Sequence, residues 1–408
     1  RDLTGGIYDG DARYIATGTE NGAKRTVFAR RSGGPGGPTG WAITRHLADG
    51  QLDKGFGTGG EVVLFDGAGL SAVGSAILAS NHYAHAVAID PDGKTLIVGR
   101  RAEGKGKRVR YTGVIVRLDT DGSFDDTFGE GGIVDLGFND IVALALEDVT
   151  GGYEIVAATR DDVTVPSSGG GGKKKGGGSS TAAGLVVIRY DDSGSLVSSF
   201  SDPYDAGDDF RAVDLQLDGT GRIIVQTVSA GERTLSRYDD LGVLDTTFGD
   251  DGRVLLEDAG GFKADRAYMA VDGSDRVLVS GWSSDGVTIL RRYDDAVAVD
   301  LQVPNNWTFS QAQAGPVAVD SQGRACVLLW VGPNTDWDIA IARYTAGGLV
   351  DTTFGTGGVS EWFDDGNRDR PGPIAIDADD GVVGALVGYD GDPNPYYAQD
   401  LLVRWLGS

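Results

Sequence analysis

The residues with the most chemical reach in this chain are basic. Arg30, Arg31, Arg100, Arg101, Lys105, Lys107, Arg108, Arg110, Lys173, Lys174 and Lys175 are 11 of its 36 lysines and arginines, in a chain of formal net charge −24. A basic sector on an acidic body is an anion-binding patch, suited to a sulfated or uronic glycan, a nucleic acid or the acidic face of another copy. The plainer reading is a set of solvated loop charges. Seven other arginines recur at one place in a short pattern: Arg45, Arg117, Arg189, Arg237, Arg292, Arg343 and Arg404. They could line a channel. A position repeated in every unit serves the unit, however, so each is expected to pair with an Asp of a nearby turn, such as Asp53 or Asp245. His82 and His85 lie three apart with no Cys or acidic partner near them, which is a weak start on a zinc site. Asp-rich turns such as Asp90-Pro91-Asp92-Gly93 do not complete a calcium loop. Trp307, Trp337, Tyr396 and Tyr397 could stack on sugar rings, and Asn306-Trp307-Thr308 makes Asn306 a glycosylation acceptor. Cys326, between Ala325 and Val327, reads as a small buried hydrophobe. No nucleophile elbow, phosphate loop or dinucleotide fingerprint is present. The chain is therefore expected to be no enzyme and to need no cofactor or metal.

What must position these residues is set by composition. Hydrophobic residues make up 40% of 408, enough for a substantial core, and Gly is 66 of 408 against a usual share of about 7%. Glycine at that level without a collagen period means many tight turns, hence many short strands. The acidic balance argues against general nucleic-acid binding. One cysteine allows no internal disulfide. No run of 18 or more apolar residues occurs, so no helical membrane span is expected. The first residue is Arg1 rather than Met, which suggests a processed or trimmed chain.

Internal repeats decide the fold. Leu52-Asp53-Lys54-Gly55-Phe56-Gly57-Thr58-Gly59-Gly60 returns as Phe124-Asp125-Asp126-Thr127-Phe128-Gly129-Glu130-Gly131-Gly132, as Leu244-Asp245-Thr246-Thr247-Phe248-Gly249-Asp250-Asp251-Gly252 and as Val350-Asp351-Thr352-Thr353-Phe354-Gly355-Thr356-Gly357-Gly358. A degenerate fifth copy ends at Phe200. In five units the recurring Arg lies 11 residues before the Phe: 45 to 56, 117 to 128, 189 to 200, 237 to 248 and 343 to 354. In a sixth the same step from Arg292 reaches Val303, where the motif has decayed. Each unit reads as an apolar strand after the Gly pair, a strand into an Asp/Gly turn, a third strand, and a fourth ending in Arg. Short β-branched runs split by Asp-Gly turns are hairpin signals. Seven such units predict a seven-bladed β-propeller with four antiparallel strands per blade. Its approximate blades are 1–52, 53–124, 125–196, 197–244, 245–299, 300–350 and 351–408. Gly5-Gly6-Ile7-Tyr8 fits the start of the first strand.

This segment resembles the signature of the delta-60 repeat family, Leu-Asp-x-x-Phe-Gly-x-Gly-Gly, over nearly the whole chain. The resemblance implies a propeller and a surface or secreted setting, and it implies no reaction.

Strand alternation puts the Asp/Gly turns and the Leu-Asp-x-x-Phe-Gly segments on one face and all long insertions on the other. Loops carry function more often than scaffold. The expected function is thus a non-enzymatic extracellular structural subunit that self-assembles head to tail through the loop-rich face. The expected partners are copies of itself, with anionic glycans second and nucleic acid not expected. The alternative is a carbohydrate-binding propeller with aromatic pockets between blades.

Overall fold

The computed structural model describes residues 14–32, 40–64, 83–103, 110–137, 143–165, 180–203, 210–229, 232–256, 262–283, 288–294, 313–331, 338–361, 370–388 and 399–405. The Gly5 to Tyr8 segment lies outside them. The protein is an all-β propeller of seven antiparallel blades. The first blade is β1 (Tyr14–Glu20), β2 (Ala23–Ser32), β3 (Gly40–Leu47) and β4 (Glu61–Leu64). The second is β5 (Tyr83–Ile89), β6 (Thr95–Glu103), β7 (Arg110–Leu118) and β8 (Ile133–Asp135). The third is β9 (Ala143–Val149), β10 (Gly152–Val165), β11 (Ser180–Asp191) and β12 (Leu196–Pro203). The fourth is β13 (Arg211–Leu217), β14 (Ile223–Ser229), β15 (Glu232–Tyr238) and β16 (Arg253–Leu255). Among the described residues the last three blades show three strands each: β17 (Phe262–Val271), β18 (Val277–Ser283) and β19 (Thr288–Tyr293); β20 (Gln313–Val319), β21 (Ala325–Val331) and β22 (Asp338–Tyr344); β23 (Arg370–Ile376), β24 (Val382–Gly388) and β25 (Gln399–Trp405). None of the described residues forms a helix, so none is a helix long and apolar enough to cross a membrane.

The innermost strands β1, β5, β9, β13, β17, β20 and β23 each pack on the next, and β23 packs on β1. The ring is therefore closed. At the joint, the Thr17 hydroxyl donates to the Ile376 carbonyl at 2.5 Å, and Lys24 pairs with Asp377 at 3.6 Å. Each blade is covered by a neighbour on both faces. That is why the middle strands read as continuous apolar runs rather than alternating ones. Ile223, Ile224 and Val225, for example, are all fully buried.

One feature of the strand grammar differs from the sequence reading. The strand after the Gly pair closes its own blade and does not open the next. Glu61–Leu64 pairs with Gly40–Leu47, Ile133–Asp135 with Arg110–Leu118, and Arg253–Leu255 with Glu232–Tyr238. The Arg-ended strand is accordingly third in pairing order. The Leu-Asp-x-x-Phe-Gly segment is an excursion inside a hairpin. Asp53 N donates to Arg45 O at 2.8 Å on the way out, and Arg45 N to Gly60 O at 3.0 Å on the way back. A repeat around a closed ring can be cut at any strand, so the period alone does not reveal the first one. The division of loops between two faces is unaffected.

Candidate functional site: the two faces of the ring

The turn face is built from two repeated devices. In the first, the recurring Arg donates through Nε to the Asp eight positions later. The distances are 2.9 Å for Arg45–Asp53, 2.6 Å for Arg117–Asp125, 2.9 Å for Arg237–Asp245 and 2.8 Å for Arg343–Asp351. The other oxygen of each Asp accepts the backbone N–H two residues on, from Gly55, Thr127, Thr247 and Thr353. Each guanidinium lies over the Phe three residues after its Asp, at 4.7, 4.6, 4.6 and 4.4 Å from the ring centres of Phe56, Phe128, Phe248 and Phe354. This bears out pairing with turn aspartates rather than a channel lining. The others differ: Arg189 pairs with Glu147 and Glu154, Arg292 donates to Ala346 O, and Arg404 pairs with Asp377.

Burial pushes the Asp125 carboxyl up, but hydrogen bonds from Lys94 and Thr127 and the Arg117 charge together hold it well below the usual range. Asp245 and Asp351 are likewise lowered, burial being outweighed by Thr247 with Arg237 and by Thr353 with Arg343.

The second device closes the turn between the first two strands of a blade. One carboxylate oxygen of Asp90, Asp218, Asp272, Asp320 and Asp377 accepts the N–H groups two and four residues on. The residue three positions on has positive φ, and it is Gly at 93, 221 and 323 but Asp at 275 and 380. Those two acids reach the preceding blade: Gly219 N donates to Asp275 at 2.7 Å, and Ser321 N to Asp380 at 2.9 Å. An inter-blade bond there offsets the cost of a left-handed Asp.

With these carboxylates engaged, the exposed remainder of the turn face is still acidic. Asp49, Asp92, Asp121, Asp126, Asp192 and Asp240 are all exposed on it. The opposite face receives the ends of β2 and β6, which carry Arg30, Arg31, Arg100 and Arg101, and the end of β10, which carries Asp161 and Asp162. Arg30 and Arg101 sit at those ends in adjacent blades. Each pairs with a carboxylate of its own blade's outermost strand or the residue heading it, Glu61 at 2.7 Å and Asp135 at 3.2 Å. Arg100 is half-buried on β6, and Arg31 and Arg110 lie on β2 and β7. Lys105, Lys107, Arg108, Lys173, Lys174 and Lys175 lie outside the described residues, as do Asn306, Trp307, Trp337, Tyr396, Tyr397 and His82. His85 is on β5. Among the described residues no three His, Cys, Asp or Glu side chains are grouped for a metal ion. Cys326 is 1% exposed, and burial pushes its thiol up to about 12, which keeps it unreactive.

One polar cluster escaped the sequence reading. Asp214, Gln216, Gln226 and Arg233 are buried in the fourth blade. Asp214 lies opposite Gln226, Gln226 opposite Leu235, Gln216 opposite Ile224 and Arg233 opposite Val228, so all four share one side of the sheet. That side packs on the fifth blade, where Ile224 and Leu235 meet Met269 and Val279. Counted from the turn Asp and the recurring Arg, the second blade has Ala86, Val98 and Gly113 where the fourth has Asp214, Gln226 and Arg233. The signal was a departure from the repeat. Burial raises the Asp214 carboxyl well above its ordinary value, against the Leu215 and Gln216 hydrogen bonds and the Arg233 charge. The folded state thus holds this proton longer than the unfolded chain. Stability is lost as pH rises from about 4 through the folded value. Asp214→Asn is expected to flatten that decline. Its urea midpoint, relative to the parent, should climb between acidic and neutral pH.

The comparisons fit this geometry. A β-propeller family described as a domain of unknown function (DUF5122) matches residues 91–128. That span runs from the turn after β5 to Phe128 and so holds one complete Arg–Asp–Phe unit. No curated protein matches the chain in sequence. Prolyl oligopeptidase B from Galerina marginata is similar in structure, with a TM-score of 0.51 and 10% identity over 97% of this chain and 51% of that one. An ulvan lyase of polysaccharide lyase family PL25 has a TM-score of 0.49 and 12% identity over 96% of this chain and 91% of that one. Puromycin hydrolase has a TM-score of 0.41 and 15% identity, and this chain spans 97% of itself but only 60% of the hydrolase's length. These likenesses concern the fold. They withdraw the expectation that the chain is no enzyme, because an oligopeptidase contains a similar fold and the fold by itself therefore excludes no activity. The expectation rested on missing contiguous motifs. A propeller can assemble a catalytic site from single residues on separate blades, which leaves no such motif to find. What the comparisons establish is a β-propeller, with its family match confined to one repeat.

Proposed function

We propose that the protein is a structural subunit of an extracellular or cell-surface assembly, joined to copies of itself head to tail, loop face on turn face. What supports this reading is the acidic turn face, set against the basic sequence of two connections between strands. Asp49, Asp92, Asp121, Asp126, Asp192 and Asp240 are exposed on the turn face, and the sequence joining β6 to β7 and β10 to β11 contains Lys105, Lys107, Arg108, Lys173, Lys174 and Lys175. A heterologous contact between unlike faces propagates as a ring or a filament. The delta-60 resemblance and the Asn306 sequon support the setting.

The test is negative-stain imaging with light scattering at low salt and again at about 0.5 M salt, where exposed charges are screened. Regular assemblies should form at low salt and disperse on screening. Replacing Lys173, Lys174 and Lys175 together by Glu should abolish them. A particle that holds the single-chain mass of 42.5 kDa at low salt and high concentration would end the proposal.

A further inference from the structure

The third blade breaks the rim. In the first two blades the Asp-x-x-Phe-Gly excursion lies against the next blade, with Gly57 N donating to Asp121 O at 2.7 Å and Gly129 N to Ser193 O at 2.8 Å. In the third blade the chain turns at Ser193 and Gly194 and runs straight into β12. The outermost strands β4, β8 and β16 have 4, 3 and 3 residues, whereas β12 has 8. Among the described residues nothing pairs with its outer edge. Proteins blunt sheet edges with short strands, charges or prolines, because a long bare edge templates another strand. Residues 195–201 of this chain, Ser-Leu-Val-Ser-Ser-Phe-Ser, carry no charge and no proline. Leu196 is 63% exposed and Val197 50%. Beside them, Leu241 and Val243 of the neighbouring turn are 79% and 62% exposed, flanking Gly242, whose backbone abuts the Phe200 ring. The nearest carboxylate on the strand, Asp202, is engaged by Tyr238 Oη and Arg253 Nη2, both at 2.5 Å.

We infer that β12 is a pairing edge for β12 of a second copy, antiparallel about a twofold axis, continuing the third blade across two protomers. On a body of charge −24, two copies repel least where the surface is uncharged, and this strip is such a place. In the register centred on Ser198, for example, antiparallel pairing sets Leu196 against Phe200 of the other copy, Ser195 against Ser201 and Val197 against Ser199, with no charge opposed, and it satisfies the outward backbone groups of both strands. This contact is separate from the face-to-face one and rests on different residues.

The experiment uses the intact chain at about 0.5 M salt, which screens the face contact and leaves a backbone-bonded, apolar one. The expected mass is twice 42.5 kDa. Val197→Lys with Ser199→Lys, both at exposed positions, should return the protein to single-chain mass with cooperative unfolding retained and a melting temperature that no longer depends on protein concentration. Ser198→Cys or Ser199→Cys should give a covalent dimer under copper–phenanthroline, and Leu349→Cys on the sixth blade should not; Cys326 is buried and will not interfere. A monomer in salt, or a dimer that persists in the Lys variant without crosslinking at 198 or 199, overturns the inference. Loss of low-salt assemblies alone would instead count against the face contact.

Discussion

Replacing Asp351 by Ala is expected to cost the propeller about 3–5 kcal/mol, the usual penalty for stranding a buried charge. Arg343 is 2% exposed and lies over the Phe354 ring, with Asp351 as its counter-charge. Without that carboxylate the guanidinium stays buried and uncompensated, and the Thr353 N–H loses its acceptor. The measurement is the shift of the urea midpoint at constant slope. Asp240→Ala, at an exposed carboxylate, should move stability by no more than about 0.5 kcal/mol. Converting the pair to Arg343→Met with Asp351→Leu should recover much of the loss, because both charges then go together. A shift below about 1 kcal/mol for Asp351→Ala would place the pair with ordinary surface ion pairs and undo its role as the blade's staple. The same pairs set the acid limb. Asp125, Asp245 and Asp351 have folded values below their unfolded ones, so their contribution is present above about pH 4 and is lost as pH falls through the folded values.

Phe128→Ala should be comparably damaging, at about 3–5 kcal/mol for a large core side chain replaced by a cavity. Phe128 is fully buried under Arg117, and the backbone of Gly194, at φ +82°, comes so close that a Cβ there would lie 3.0 Å from its ring. One truncation thus opens a void within a blade and at its junction with the next. Phe200→Ala is the internal control. Phe200 is only half-buried on the bare edge and packs at a tilt on Tyr238, ring centres 5.0 Å apart, with no arginine over it among the described residues. Its loss should cost less than half as much, and equal costs would show that the excursion adds nothing to the packing of its Phe.

The blade number and the Arg–Asp pairing were legible because each is written several times in the chain, and the distance from Arg45 to Phe56 or Arg343 to Phe354 is a loop length that backbone geometry fixes. Strand phase was not legible, because Glu61–Leu64 is as apolar as a first strand and only its hydrogen bonds to Gly40–Leu47 assign it. The Asp214 cluster was hidden for another reason. Its members are spaced over two hairpins, and nothing local distinguishes Gln226 inside Ile223–Ser229 from an exposed glutamine. The degenerate copy at Phe200 was visible as decay, but that it became a strand followed only from its pairing with Val187.

The way neighbouring blades are fastened bears on how mutation can change the ring. Between the first and second blades, and between the second and third, the fastening includes a backbone amide bonded to a backbone carbonyl, which no exchange of side chain removes, and Tyr153 adds side-chain bonds to Asp90 and Arg117 at the second of these joints. Between the third and fourth it is the Asp202 carboxylate held by Tyr238 and Arg253, and at the closing joint it is Thr17 and Lys24. Single substitutions can remove those side-chain bonds, leaving the apolar packing across each joint. The joints from the fourth blade to the seventh are likewise bonded through side chains, Asp275, Arg292 and Asp380 among them, so sequence drift bears less on the first two joints than on the rest of a nominally sevenfold object.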